Sequence, residues 1–144
     1  MTSASKLKNF SFLVYGLGKT GRSVVKFFKK NNIKNFQVWD DKNKNLYKSK
    51  RAFNLDKSLR DVSFIVLSPG VSLKNTQNKN KLRLFKDKII TDIDLIYLLK
   101  KFYKSIVVTG TNGKSTTCKI IQHVLKNNKF KTLLGGNIGV PILS

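Results

Sequence analysis

Phe10-Ser11-Phe12-Leu13-Val14-Tyr15 runs directly into Gly16-Leu17-Gly18-Lys19-Thr20-Gly21. The first six residues form an aromatic and aliphatic run that reads as a strand. The next six match Gly-x-Gly-x-x-Gly, a tight turn that opens onto a helix and leaves backbone N–H groups facing outward. The helix predicted from about Thr20 to Asn32 has Val24, Val25, Phe27 and Phe28 on its apolar side and Lys26, Lys29 and Lys30 toward water. A second strand, Phe36 to Trp39, ends at Asp40, about twenty residues past the glycines, where a doubly wound sheet places an acid for ribose or base. Strand, glycine turn, helix, strand and acid predict a Rossmann-like α/β unit. On its own the glycine pattern points to NAD or FAD, and a turn serving only helix–strand packing would look the same.

Downstream, Lys42 to Asp61 is polar and lysine-rich and reads as a loop with one weak helix. Ser63 to Leu67 is a buried strand, and Ser68-Pro69-Gly70 stands at its carboxyl end, where open α/β sheets bind ligands. A weakly amphipathic helix is expected over Asn75 to Lys88, then a short strand at Ile89 and Ile90. A further helix follows, capped by Thr91 or Asp92, through Ile96, Leu98, Leu99 and Phe102. The division expected is 1–92 for the first domain and 93–144 for the second. Read locally, the seam falls at Lys100 to Ser105, because a new strand begins immediately after it.

That strand, Ile106 to Val108, opens the sequence Thr109-Gly110-Thr111-Asn112-Gly113-Lys114-Ser115-Thr116 and leads into an amphipathic helix carrying Ile120, Ile121, Val124 and Leu125. Gly110 and Gly113 let the backbone turn so that its N–H groups face an anion at the positive end of the helix. Lys114 would reach the β- and γ-phosphates of a nucleotide, and the Ser115 hydroxyl would ligate magnesium. The spacing departs from Gly-x-x-x-x-Gly-Lys-[Ser/Thr], which requires a glycine where Val108 stands. A strand through Thr132, Leu133 and Leu134 leads into Gly135 to Pro141. Strand, helix and strand alone cannot cover the apolar faces of Ile106 to Val108 and Leu133 to Leu134. Cys118 reads as a packed small side chain, and His123, with no partner at metal-ligand spacing, as a helix-surface residue.

Lys and Arg number 29 against 7 Asp and Glu, a formal charge of +22. The lysines are scattered, and no aromatic-interleaved basic stripe accompanies them, so solvated lysine faces are expected rather than a nucleic-acid partner. A single cysteine excludes an internal disulfide framework and fits a reducing compartment. No apolar run approaches the roughly 18 residues of a membrane span, and Met1 to Asn9 has no secretory pattern. A cytoplasmic location without membrane attachment is the expectation.

The word Thr-Gly-Thr-Asn-Gly-Lys-Ser-Thr resembles the ATP loop of the Mur ligase family, enzymes that add amino acids to the cell-wall peptide precursor. With Gly16 to Gly21, Ser68-Pro69-Gly70 and Gly135 to Pro141 in the same order, the whole chain resembles the front of such a ligase. The first glycine turn is similar to that of the branch adding D-glutamate to UDP-N-acetylmuramoyl-L-alanine. The resemblance implies a Rossmann-like first domain that binds the uridine diphosphate end, with Gly18, Lys19 and Thr20 at uracil and pyrophosphate. Asp40, with Asp41 and Lys42 beside it, would lie on the uracil side, with Ser68, Pro69 and Gly70 closing over it, and Asn137 would reach the muramoyl part. It implies a second, P-loop α/β domain in which Gly110, Thr111, Asn112, Gly113, Lys114, Ser115 and Thr116 bind ATP and Mg²⁺, with Lys114 and Ser115 catalytic and Ser115 on the metal. The implied chemistry is carboxylate activation by phosphoryl transfer, then attack by the D-glutamate amine on the acyl phosphate. The family's remaining parts are not in this sequence, so the expectation is an amino-terminal fragment inactive alone, and a monomer when full length. A nicotinamide-binding regulatory domain and a basic nucleic-acid-binding ATPase remain the alternatives.

Overall fold

The computed structural model describes residues 3–42, 53–99, 104–135 and 141–143. They fall into two compact units, Met1–Lys101 with Leu143–Ser144, and Phe102–Ile142.

In the first unit a 3-10 helix, Ser3–Asn9, precedes β1 (Phe12–Tyr15), α1 (Lys19–Lys30) and β2 (Phe36–Trp39). Then come α2 (Leu55–Asp61), β3 (Phe64–Leu67), α3 (Lys79–Leu84), a 3-10 turn at Lys86–Lys88, β4 (Ile89–Ile90) and α4 (Asp92–Leu98). The strands form one parallel sheet in the order β2-β1-β3-β4. Phe12 pairs with both Phe36 and Phe64, and Tyr15 with both Trp39 and Leu67.

β1 is buried along its whole length because parallel strands at the centre of a sheet are covered on both faces. Phe12 and Val14 pack with Val24 and Phe28 of α1 and with Leu95 and Leu99. Leu13 and Tyr15, pointing the other way, pack with Leu55 and Leu59 of α2, Ile65 and Leu82. A cluster of tilted aromatic rings ties the first layer together, with ring centres of Phe12 and Phe28 4.8 Å apart and of Phe28 and Phe36 5.3 Å apart. The chain turns one way from β1 to β2 and the other way from β3 to β4. The strand order therefore reverses between β1 and β3, and the crevice of a doubly wound sheet opens at their carboxyl ends.

Several boundaries differ from those expected. The strand predicted from Phe10 begins at Phe12, because the 3-10 helix closes with Phe10 N–H on Leu7 O, and Ser11 and Ser63 pair through their side chains and amides. The helix predicted over Asn75 to Lys88 contracts to α3 and a 3-10 turn, since its asparagines favour turns over helix interior. Thr91 caps α4 in a capping box with Asp94. Leu95 and Leu99 are buried in the core of the first unit, so α4 belongs to it, and the boundary falls after Lys101 rather than at 92/93. The weak apolar positions Leu46 and Tyr47 lie outside the described residues.

Lys88 replaces the missing partners at the end of α2. Its Nζ donates to the carbonyls of Arg60 (2.6 Å) and Val62 (3.0 Å), and it stands 5.5 Å from the centre of the Phe85 ring. Lys88→Met keeps the stem and removes the donors. It is expected to cost about 1–2 kcal/mol, read as a lower urea midpoint at unchanged slope.

In the second unit α5 (Lys114–Asn127) is the only helix among the described residues. The strands expected at Ile106 to Val108 and Thr132 to Leu134 are not formed there. A strand is a relation to a neighbouring ladder, and residues 104–135 supply none. Val107 and Leu133 accordingly face outward, 85% and 93% exposed.

Candidate functional site

The glycine turn after β1 is fixed from every side. Gly16 N–H donates to Trp39 O at 2.7 Å, and its φ of +95° suits glycine alone. A side chain at Gly16 would meet Val71 Cγ2 at 2.6 Å. One at Gly21 would meet Gly16 O at 1.9 Å, which is how closely α1 approaches the end of β1. Leu17 is held at both ends of its peptide, its N–H donating to Asp40 Oδ2 (2.6 Å) and its carbonyl accepting from Arg22 Nε (2.9 Å).

The turn delivers α1 with a bare amino end. Gly18 caps it without a side-chain hydrogen bond, and no acid stands in its first turn. The N–H groups of Lys19, Thr20 and Gly21 therefore have no carbonyl one turn back, and with the helix dipole they form an anion-binding end. Gly18 and Lys19 are exposed and Thr20 is half-buried. A Cβ at Gly18 would meet nothing within 4 Å, so the space in front of this end is open.

Asp40 sits at the end of β2 as expected, and both its oxygens hold backbone, Leu17 N–H on one and Lys42 N–H on the other (2.9 Å). Ser68 is buried, and its hydroxyl donates to Gly16 O at 2.7 Å. It locks the turn, while Pro69 and Gly70 beside it are exposed at the end of β3.

Sequence reasoning set Asp41 beside Asp40 facing uracil and missed the protein network that holds it. Asp41 accepts from Tyr15 OH (2.7 Å), Trp39 Nε1 (2.9 Å), Asn78 Nδ2 (3.0 Å) and the Thr76 hydroxyl. One signal was available: a tyrosine at the end of a fully buried strand needs a partner for its hydroxyl. Burial alone would raise the Asp41 pKa. The bonds from Thr76, Trp39, Tyr15 and Asn78 together outweigh it and hold the carboxyl below the usual 3.8. Burial keeps the Tyr15 phenol above its usual 10.0.

A carboxyl whose pKa is lower folded than unfolded stabilises the fold above the unfolded value, and that contribution is lost as pH falls through the folded value. Between neutral pH and the region below 3.8, the wild-type urea midpoint should therefore drop more steeply than that of Asp41→Asn. Parallel acid limbs would show that Asp41 is not charged in this network.

The second unit presents another bare helix end. Gly110 (φ +144°) and Gly113 (φ +73°) turn the chain into α5, whose cap is Gly113 without a side-chain bond. Residues 109–117 are exposed, with Ser115 and Thr116 in the first helical turn. Lys114 Nζ curls back onto the carbonyls of Gly110 and Thr111, the latter at 2.9 Å. Asn137 lies outside the described residues. His123 is exposed and bonds Asn127 at 3.0 Å. Among the described residues no three metal-capable side chains cluster.

Residues 10–83 match the family of the Mur ligase MurD-like N-terminal domain. The chain belongs to the Mur ligase family. This Mur ligase chain is 41% identical over 150 residues to the UDP-N-acetylmuramoylalanine--D-glutamate ligase of Wolbachia sp. subsp. Brugia malayi, covering 96% of the chain and 30% of that relative. It is 42% identical over 137 residues to the ligase of the same name from Rickettsia prowazekii, covering 90% of the chain and 30% of the relative. The ligase of that name from Francisella tularensis subsp. tularensis is 39% identical over 134 residues, with 92% and 30% covered. The Mur ligase chain thus spans about 30% of the length of these curated relatives. Its Rossmann-like α/β first unit agrees with the family match, and no described helix is long and apolar enough to cross a membrane.

Proposed function

We propose that this protein acts in the ATP-dependent joining of D-glutamate to UDP-N-acetylmuramoyl-L-alanine, in the cytoplasm, with the first unit taking the uridine diphosphate end and the second taking ATP. The observation that carries the reading is the pair of uncapped helix ends, α1 and α5, within a stretch about 40% identical to ligases of that name. Gly18, Lys19 and Thr20 form the first anion end, with Asp40 bracing the turn and Pro69 and Gly70 bordering the opening. Asn137 is assigned to the muramoyl side by resemblance alone.

At the second end, Gly110 to Gly113 offer backbone N–H groups, and Lys114 supplies the charge. All 7 acidic residues stand at or before Asp94, so no carboxylate side chain in the second unit opposes a polyphosphate. Magnesium fits this donor set, because it retains water and needs only one or two protein oxygens beside phosphate. Ser115 would hold it, Thr116 stands next to it, and the ion would neutralise phosphate charge. Lys114 and Ser115 are thus the residues assigned to the chemistry. The D-glutamate site and the remaining reaction groups are assigned to the part of the relatives' length that this chain does not span.

Titration calorimetry tests the first assignment. UDP should give saturable binding, and NADH should not. Saturable NADH binding without UDP binding would replace this reading with a dinucleotide-binding domain. DNA affinity that falls steeply with salt, in the absence of UDP binding, would favour a nucleic-acid ATPase.

A further inference from the structure

The residues that end β1 and that follow β2 and β3 meet at the crevice, and one carboxylate joins them. Tyr15 ends β1, Asp41 follows β2, and Thr76 and Asn78 lie in the segment that leaves β3. β2 and β3 are not neighbours in the sheet, so no ladder bond connects their ends. The segment after β3 leans on the glycine turn through Val71, whose side chain fills the space beside Gly16. It then turns back through Thr76 N–H on Ser72 O and reaches Asp41 with Thr76, which is 9% exposed, and Asn78. Asn78 Nδ2 also donates to Tyr15 OH at 2.9 Å.

We propose that Asp41 is a positioning residue: bonded by Tyr15, Trp39, Thr76 and Asn78, it straps the 71–78 segment across the strand ends and so sets the wall of the nucleotide crevice. The inference rests on the uridine reading above. Tyr15, Trp39 and Asn78 all donate to Oδ1 and Thr76 to Oδ2, so the carboxylate is turned to the protein, with Oδ1 filled and Oδ2 tied to the strap. Its charge is met by neutral donors, so no cation is needed to hold the strap to the strand ends. Removing any donor should loosen the strap while leaving the sheet intact, because the hydrophobic core does not depend on these atoms.

The test uses Thr76→Val, Tyr15→Phe and Asp41→Ala, with Thr76→Ser as the conservative rescue, in the chain as it stands. UDP affinity is read by calorimetry, ATP affinity as the control, and amide exchange over 71–78 without ligand. Thr76→Val and Tyr15→Phe should each weaken UDP by about tenfold, the factor expected of one buried hydrogen bond. Asp41→Ala should weaken it further, Thr76→Ser should bind as wild type, and ATP should be unaffected. Exchange should rise in 71–78 and not in β1. The proposal is overturned if Asp41→Ala alone weakens UDP, which would make Asp41 a direct ligand contact. It is equally overturned if all three variants lower the melting temperature but bind UDP normally. Wild-type protein that does not bind UDP at all would instead sink the uridine reading, a result separable from both.

Discussion

On the proposed function, Lys114→Ala is expected to lower turnover of the ligase by a factor on the order of 10³ while leaving the fold of both units intact. In a phosphoryl transfer, negative charge spreads over the transferring group, and a positioned cation in a protected cradle offsets it. Lys114 already reaches the rim of its loop, with Nζ on the carbonyls of Gly110 and Thr111. Binding would therefore exchange those carbonyls for phosphate oxygens. The loop's shape comes from Gly110 and Gly113, not from Lys114, so circular dichroism and melting should change little. Steady-state kinetics with saturating uridine substrate makes the measurement, and near-wild-type turnover would remove Lys114 from the ATP site.

Gly21→Ala should be the most damaging single substitution in the first unit. The added methyl would lie 1.9 Å from Gly16 O and 2.8 Å from Ser68 Oγ. The first of these is backbone and cannot swing aside. To relieve the clash α1 must lift from the sheet, and Val24 and Phe28 must lift with it. We expect a loss of about 3 kcal/mol, together with loss of UDP binding. Gly18→Ala is the internal comparison, since nothing lies within 4 Å of its added Cβ. Urea unfolding of both variants decides the point: equal stabilities would mean that the close approach of α1 to Gly16 is not a structural requirement.

The parts of the fold that could be read in advance are those with a local cause. β2 follows from its apolar run, the first glycine turn from its spacing, and the start of α4 from Thr91 followed three residues later by Asp94. What could not be read depends on partners distant in the chain. Ile106-Val107-Val108 has strand composition, yet strand formation needs a neighbour, and the described residues of the second unit provide none. Ser68 was expected to face a ligand, but its hydroxyl is turned to Gly16, 52 positions earlier. The Asp41 network joins positions 15, 39, 41, 76 and 78, and no period or motif links them. In the same way, α4 reads as the opening of a second domain until Leu95 and Leu99 are seen in the first core.

Trp39, the single tryptophan of the chain, stacks on Phe53 with ring centres 5.3 Å apart and donates its indole N–H to Asp41. The molecule therefore carries its own optical probe at the crevice. Its emission should respond to whatever enters there, so occupancy can be followed in solution without attaching a dye.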